Sequence, residues 1–140
     1  MANPFEHIIR VTWGDCDPAN IVYTGRLPWF ALDAINAWWE ANTGHGWYKM
    51  ENDDNLGTPF VRIEMDLMSP VTPRHPLRCR VWPNRLGDTS VGFRVEASQD
   101  DKLWFAGNFV SVFTQADAFK KTQPPEIIRE IVQANLIPAT

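Results

Sequence analysis

The sequence predicts an α+β fold in which an antiparallel sheet of about five strands wraps around one long helix. One observation is a helical repeat of apolar residues that follows the first strand-like segment. The other is apolar–polar alternation, divided by turn residues, over most of the remaining chain. A sheet with one apolar face needs an element to cover it. Because only one long helix is predicted, we expect the sheet to wrap around that helix.

The first part of the chain predicts a strand, a polar loop and the long helix. Alternation indicates the strand over residues 7–13, and the loop covers residues 14–24. The helix begins near Gly25, carries Pro28 in its first turn and ends before Gly44, which suits a left-handed cap. Its apolar positions recur at helical spacing: Leu27, Phe30, Ala31, Ala34, Ile35, Trp38 and Ala41.

The rest of the chain predicts the remaining strands and a terminal helix. The predicted elements are a connector with a helical turn near residues 47–52, strands over 61–67, 77–82, 91–97 and 103–115, and a helix from Pro124 to about Val132. In the strand over 61–67, Val61, Ile63, Met65 and Leu67 are expected on one face and charged residues on the other.

The composition predicts one domain, residues 1–140. Seven Trp and eight Phe are many for this length, which favours a cavity lined by aromatic rings or a large interface between subunits. The net charge of −4 argues against nucleic-acid binding, because such domains usually carry a basic surface. We therefore expect no nucleic-acid partner.

Cysteine use and hydropathy predict a cytoplasmic protein. Cys16 and Cys79 are too few for a secreted disulfide scaffold, and the first residues lack the basic and apolar pattern of a signal peptide. No apolar run in the sequence approaches the length of a membrane span. We expect no membrane partner.

Several kinds of catalytic site are disfavoured by the residue pattern. Cys16 lies between Asp15 and Asp17, whose charges oppose a thiolate, so a small packing residue is favoured over a nucleophile. The sequence has no Gly-x-Ser-x-Gly elbow and no phosphate-binding glycine loop. A metal site is not expected, because the histidines are scattered: His7, His45 and His75.

The remaining candidates are the carboxylates of the polar loop. Asp17 precedes the predicted helix start, where the backbone N–H groups of Tyr23, Thr24 and Gly25 could hold a developing oxyanion. The alternative is that Asp15 or Asp17 only forms an Asx-turn or caps the helix.

The loop resembles the signature loop of a known enzyme family. Gly14-Asp15-Cys16-Asp17-Pro18-Ala19, followed by Ile21-Val22-Tyr23, is similar to the loop of hotdog-fold acyl-CoA thioesterases, specifically the 4-hydroxybenzoyl-CoA thioesterase family. A looser similarity extends over nearly the whole chain and includes Gly57-Thr58-Pro59.

The resemblance implies an architecture and a reaction. It implies a hotdog fold, homodimers that often pair into homotetramers, and active sites between subunits. It implies hydrolysis of an aryl or acyl thioester of coenzyme A, with Asp17 as nucleophile or general base and Thr24 or a neighbour as the oxyanion contact. No separate cofactor is expected, because coenzyme A is part of the substrate.

Four residues are predicted to bind the substrate. Thr58 and Pro59 follow from the resemblance, and Arg74 and Arg85 are candidates for the phosphates of coenzyme A, together with Arg78 and Arg80. The alternative is that these arginines point outward from strands and pair with neighbouring acids.

The acyl group and the activity itself are open at the sequence level. Leu27 and Leu32 stand where relatives carry an aromatic and an acidic residue, which weakens the case for 4-hydroxybenzoyl-CoA as substrate. An acyl-CoA binding protein without turnover and an enoyl-CoA dehydratase are the alternative functions. Four tryptophans could line an acyl pocket or pack in the core: Trp29, Trp38, Trp39 and Trp47.

Overall fold

The computed structural model describes residues 2–139. Its helices are α1 (Arg26–Thr43), α2 (Trp47–Asn52) and α3 (Glu126–Ala134). Its strands are β1 (Phe5–Ile9), β2 (Leu56–Gly57), β3 (Phe60–Leu67), β4 (Leu77–Leu86), β5 (Ser90–Gln99), β6 (Lys102–Val112), β7 (Thr114–Gln115) and β8 (Lys120–Lys121).

Five strands form the main sheet in the order β1-β4-β5-β6-β3. Each neighbouring pair is antiparallel, as in the hairpin that pairs Val81 with Val95. The α+β class and the five-stranded antiparallel sheet are therefore confirmed. A second sheet of three short strands, in the order β2-β7-β8, was not expected from the sequence.

Helix α1 has 18 residues and packs against β1, β4 and β5. Its buried face consists of Leu27, Phe30, Ala31, Ala34, Ile35, Trp38 and Trp39. The indole of Trp38 meets the ring of Phe93 edge-on, with centroids 5.0 Å apart. Full burial of each large side chain contributes about 1.5–3 kcal/mol. Gly44 ends the helix with φ 82°, as its left-handed cap predicts.

The first strand differs from its prediction. The sequence indicates residues 7–13, whereas β1 ends at Ile9 and Trp13–Asp15 forms a single turn of 3₁₀ helix. The strand ends early because the backbone at Thr12 turns to bond the Asp15 side chain. The indole of Trp13 is consequently 73% exposed rather than packed in the sheet.

Strand β3 lies at the edge of the sheet and leaves an apolar stripe uncovered. Val61, Ile63 and Leu67 are 62%, 47% and 49% exposed, although alternation predicts a single apolar face. Helix α1 packs over β1, β4 and β5, which are the strands farther from β3 in the sheet. The β3 edge therefore extends beyond the helix. The stripe is defined here as Val61, Ile63 and Leu67.

The shorter helices agree with the sequence. A helical turn was predicted near residues 47–52, and α2 spans Trp47–Asn52. The terminal helix α3 begins directly after Pro125 and buries Ile128 and Val132. Within residues 2–139, every helix is too short or too polar to cross a membrane.

Candidate functional site

The loop between β1 and α1 is held in shape by the buried carboxylate of Asp15. Its Oδ2 accepts hydrogen bonds from the Thr12 amide at 2.9 Å and the Thr12 hydroxyl at 3.1 Å. Its Oδ1 accepts from Nε and Nη2 of Arg26 at 3.1 and 2.7 Å. Arg26 is the first residue of α1, so this side chain ties the loop to the helix start. The sequence analysis did not predict this role for Arg26.

The same contacts keep Asp15 ionised. Burial pushes the pKa of the Asp15 carboxyl upward, but the hydrogen bonds from Thr12 and Arg26, with the positive charge of Arg26, outweigh it. The pKa therefore lies below its ordinary value of 3.8. Asp15 is fully committed to these bonds, which makes it a structural carboxylate.

Asp17 is half-buried and lies at the start of the exposed bend of the loop, residues 18–20. Its Oδ1 accepts the Ala19 amide at 2.9 Å, which is an Asx-turn, and its backbone carbonyl accepts the Asn20 amide at 2.9 Å. Among the hydrogen bonds within residues 2–139, Oδ2 of Asp17 takes part in none. One oxygen therefore shapes the turn while the other is open to a reactant.

The three backbone amides predicted to hold the oxyanion differ in the hydrogen bonds that they already make. The Tyr23 N–H donates to the Asp15 carbonyl oxygen at 2.9 Å, so it is committed within the loop. The N–H groups of Thr24 and Gly25 donate to no acceptor within the described part of the chain. Gly25 directly precedes α1, where the helix dipole favours negative charge.

Gly25 lies close to the side chain of Tyr23. A Cβ atom at position 25 would lie 2.5 Å from Cε2 of this exposed ring, which would have to move aside. The exposed Tyr23 ring therefore lies over the helix start, and the absence of a side chain on Gly25 leaves that amide approachable.

Thr58 and Pro59 lie at the other end of the sheet from the Asp17 loop. Register places the start of β3 level with Leu86, whereas the loop follows β1 at the level of Leu77. Ten residues of β4 separate these levels by about 30 Å. The two residues line a cavity of about 290 Å³ that extends to Leu32 on α1.

Arg74 and Arg85 are not brought together. Arg74 lines a cavity of about 520 Å³ beside the loop, together with Arg10, Thr12 and Trp13. Arg85 is exposed near the far end of β4, about 30 Å away along the strand. The sequence prediction missed Arg10, although its position close before the signature loop could have indicated it.

The other arginines of the sheet are paired with acids, which agrees with the alternative interpretation of that region. The pairs are Arg62 with Glu64 at 2.9 Å, Arg78 with Glu6 at 2.9 Å, Arg80 with Glu96 at 3.6 Å and Arg94 with Glu96 at 3.3 Å. Within residues 2–139, Arg74 and Arg85 have no carboxylate within 4.0 Å. Only these two of the four candidates are free to meet a phosphate.

The four tryptophans divide between core, cavity and surface. Trp38 and Trp39 are fully buried in the core. Trp47 is half-buried and lines the 290 Å³ cavity, and Trp29 is 60% exposed on α1. One of the four therefore lines a pocket in this chain.

The two thiols have different environments. Burial, with a smaller contribution from the charge of Asp33, raises the pKa of the Cys79 thiol to about 12. Cys16 is partly exposed, with its Sγ 3.8 Å from the Thr12 carbonyl oxygen. No group of three His, Cys, Asp or Glu side chains in the described residues is placed to hold a metal ion.

Residues 11–134, which contain the loop, α1 and all residues that line the 290 Å³ cavity, match the Thioesterase-like superfamily. The chain belongs to this superfamily. A solved thioesterase-superfamily protein from Jannaschia sp. CCS1 is 54% identical, with a TM-score of 0.93 over 96% of this chain and 94% of that chain. Membership of the superfamily makes this protein a thioester hydrolase with a hotdog fold.

More distant structures share the fold. A 1,4-dihydroxy-2-naphthoyl-CoA thioesterase from Synechocystis is 17% identical, with a TM-score of 0.82 over 92% of this chain and 95% of that chain. A DHNA-CoA thioesterase from Staphylococcus aureus is 13% identical, with a TM-score of 0.83 over 92% of this chain and 88% of that chain. No curated protein matches the thioesterase chain described here.

Proposed function

We propose that this protein is an acyl-CoA thioesterase in which Asp17 is the catalytic carboxylate. The observation that carries the proposal is the open Oδ2 of Asp17 in a loop that leads to two uncommitted amides, those of Thr24 and Gly25. Amides at a helix start stabilise the negative charge that develops on a thioester oxygen. The naphthoyl-CoA activities of two fold relatives support coenzyme A esters as the substrate class.

Thioester chemistry suits a site with one carboxylate. Coenzyme A leaves as a thiolate and needs little help from a general acid. Asp17 would either attack the carbonyl carbon to form a mixed anhydride, which water then hydrolyses, or take a proton from the attacking water. Both routes give free acid and free coenzyme A, and neither uses a metal or a further cofactor.

The phosphates of coenzyme A would bind at the cavity formed by Arg10, Arg74 and Trp13. The two guanidiniums supply charge and planar donors for phosphate, and the exposed Trp13 ring offers a stacking surface for a base. Arg85 lies too far from this cavity to take part in the same subunit, so it is not included in the proposed phosphate site.

We further propose a homodimer, built by pairing β3 with β3 of a second copy. An uncovered edge strand with an apolar stripe is a ready surface for such pairing. Antiparallel pairing about a two-fold axis sets the start of one β3 beside the end of the other. Val22 donates to the Val71 carbonyl at 2.8 Å, so the Asp17 loop lies near that end and each site would border on the second copy. Two such dimers would form the tetramer.

The decisive experiment is Asp17→Asn assayed on a panel of aliphatic and aromatic acyl-CoA esters by release of free thiol. We expect kcat to fall by about a thousandfold, because the replacement keeps the shape but removes the charge. The matched control is Asp101→Asn, which makes the same change in the exposed turn between β5 and β6 at φ 62° and is expected to retain activity.

The same panel separates the alternative functions. Near-normal turnover by Asp17→Asn removes the proposed mechanism. Hydration of an enoyl-CoA without thiol release indicates a dehydratase, and tight binding of the esters without any product indicates a binding protein. The one His–carboxylate pair of residues 2–139, His45 with Asp54 at 2.7 Å, lies beyond the far end of α1 and not at the loop.

A further inference from the structure

A proline-rich segment, residues 68–76, forms one wall of the cavity that contains Arg10 and Trp13. Four successive residues of the segment line this cavity of about 520 Å³: Pro73, Arg74, His75 and Pro76. The segment belongs to no helix or strand, and the prolines at positions 70, 73 and 76 have no backbone N–H to donate. The position of this wall therefore depends on hydrogen bonds with residues outside the segment.

The side chain of Gln99, the last residue of β5, makes three of these hydrogen bonds. Its Oε1 accepts the Thr72 N–H at 3.1 Å, and its Nε2 donates to the carbonyl oxygens of Thr72 and His75, each at 2.7 Å. Gln99 is only 1% exposed, and burial of an amide is costly unless its polar atoms are bonded. All three bonds go to the backbone of one segment, and they hold it on both sides of Arg74.

Trp104 on β6 holds both Gln99 and the start of the segment. Its indole N–H donates to the Gln99 carbonyl oxygen at 2.9 Å. Its own carbonyl oxygen accepts the Met68 N–H at 2.9 Å and the Ser69 N–H at 3.2 Å. Gln99 is therefore fixed at the end of the β5–β6 hairpin, from which its side chain reaches the segment.

The same segment contacts the loop that carries Asp17. The Val22 N–H donates to the Val71 carbonyl oxygen at 2.8 Å, and Val22 forms a β-bridge with Cys16. The segment therefore lies between the β5–β6 hairpin and the Asp17 loop, and it presents Arg74 to the cavity.

Arg74 has few contacts of its own that would fix its position. The residue is exposed, and no carboxylate of residues 2–139 lies within 4.0 Å of its guanidinium. Its backbone N–H donates to Oγ1 of Thr72 at 3.3 Å, which is a residue that Gln99 holds. Binding through a long side chain costs conformational entropy, and a backbone fixed in advance lowers that cost.

We propose that Gln99 is a positioning residue for coenzyme A. It holds the backbone on both sides of Arg74 and so sets the place from which the guanidinium meets a phosphate. Gln99 itself does not line the cavity. Asp15 and Arg26 hold the Asp17 loop independently, so Gln99 governs binding of the coenzyme A portion and not bond cleavage. This inference rests on the proposed function and adds to it a residue outside the site.

The test compares two thioesters of one acyl group, the group that the wild-type protein hydrolyses fastest in the acyl-CoA panel. One is the coenzyme A ester, and the other is the N-acetylcysteamine ester, which lacks the phosphates and the nucleotide. Gln99→Met keeps the length of the side chain and removes its three hydrogen bonds. The preference for the coenzyme A ester, as a ratio of kcat/KM values, should fall about tenfold while kcat for that ester is kept. An unchanged preference overturns the role of Gln99.

Two further variants separate positioning from a general loss of stability. Val95→Ala removes buried packing from the middle of the same strand, so it should lower the melting temperature and keep the preference. An equal loss of preference in Val95→Ala overturns the role of Gln99. Arg74→Ala should lower the preference, and adding Gln99→Met should lower it no further, because both act on one contact. Additive losses overturn the proposed route through Arg74.

A measurement on the wild-type protein does not depend on how the variants fold. Free coenzyme A should slow hydrogen exchange of the Thr72 amide about tenfold, because a ligand held by Arg74 also stabilises the bonds that position Arg74. N-acetylcysteamine should leave this exchange unchanged. The same Thr72 exchange with and without coenzyme A overturns the inference.

The two possible failures give different results. If the wild-type protein releases thiol from neither ester, the proposed function is wrong, and this inference fails with it. If the wild-type protein hydrolyses the coenzyme A ester but Gln99→Met keeps the full preference, only the role of Gln99 is wrong.

Discussion

The two ends of the main sheet are built from different interactions. At the end that carries the Asp17 loop, shape comes from hydrogen bonds: Asp15 binds Thr12 and Arg26, and its carbonyl accepts the Tyr23 amide. At the other end, shape comes from apolar packing of α2, β3 and the β7–β8 hairpin around a cavity. The comparison teaches that the two ends can be altered separately by mutation, because they depend on different forces.

Disrupting the β3 edge should have the largest effect on both ends. Ile63→Asp places a charge in the apolar stripe and should convert the proposed dimer to monomers, with an activity loss of about a hundredfold if each site borders on a second copy. Light scattering after gel filtration measures the mass. Glu64→Gln, the neighbouring residue on the opposite face, is the control and should leave the mass unchanged. A fully active monomeric Ile63→Asp protein contradicts a shared site.

Removing Asp15 should damage the loop end alone. Asp15→Ala deletes four hydrogen bonds and leaves Arg26 without its partner, so the free energy of unfolding should fall by about 2–3 kcal/mol. Thioesterase activity should also fall, because the loop that carries Asp17 loses its link to the start of α1. Urea unfolding and release of free thiol from acyl-CoA esters measure these quantities. Unchanged stability and activity would contradict the anchoring role of Asp15.

Acid should weaken the same end first. The folded pKa of Asp15 is depressed, so its stabilisation is fully present above its ordinary pKa of 3.8 and is lost as the pH falls through the lower folded value. The melting temperature of the wild-type protein should therefore drop in acid more steeply than that of Asp15→Asn. Parallel melting curves for the two proteins at every acidic pH refute this assignment.

Trp47→Phe should give the smallest change, and in the opposite direction. It removes the unsatisfied Nε1–H and keeps the contact with Phe60, so the free energy of unfolding should stay the same or rise by about 1 kcal/mol. Thermal unfolding measures the difference. A clear loss of stability means that the indole nitrogen has a structural partner in the assembled protein.

The sequence was sufficient where the signal is local. The left-handed cap at Gly44 and the helix that begins at Trp47 each follow from a few neighbouring residues. Alternation also found the apolar face of β3, but it could not show that α1 leaves this face uncovered. That depends on which strands the helix crosses, and no neighbouring residue encodes it.

In the candidate site, too, local features could be predicted from the sequence and non-local contacts could not. The loop motif led to the prediction of Asp17, which stays a prediction. The hydrogen bond of the Tyr23 amide could not be predicted, because its acceptor is a carbonyl eight residues earlier that approaches only after the loop closes. The sequence could have predicted that Arg74 and Arg85 lie far apart, because a straight strand of that length cannot bring its ends together. The unpartnered Nε1 of Trp47 could not be predicted, because it depends on how distant segments pack around the indole.

The contrast between the two thiols has a practical use. Cys79 is sealed inside the sheet with its pKa raised to about 12, so a thiol reagent should ignore it until the chain unfolds. Cys16 is partly exposed and lies between Asp15 and Asp17. Its rate of alkylation in the native protein would therefore report loop opening around the proposed catalytic carboxylate, and protection by a coenzyme A ester would reveal occupancy of the proposed site without any turnover.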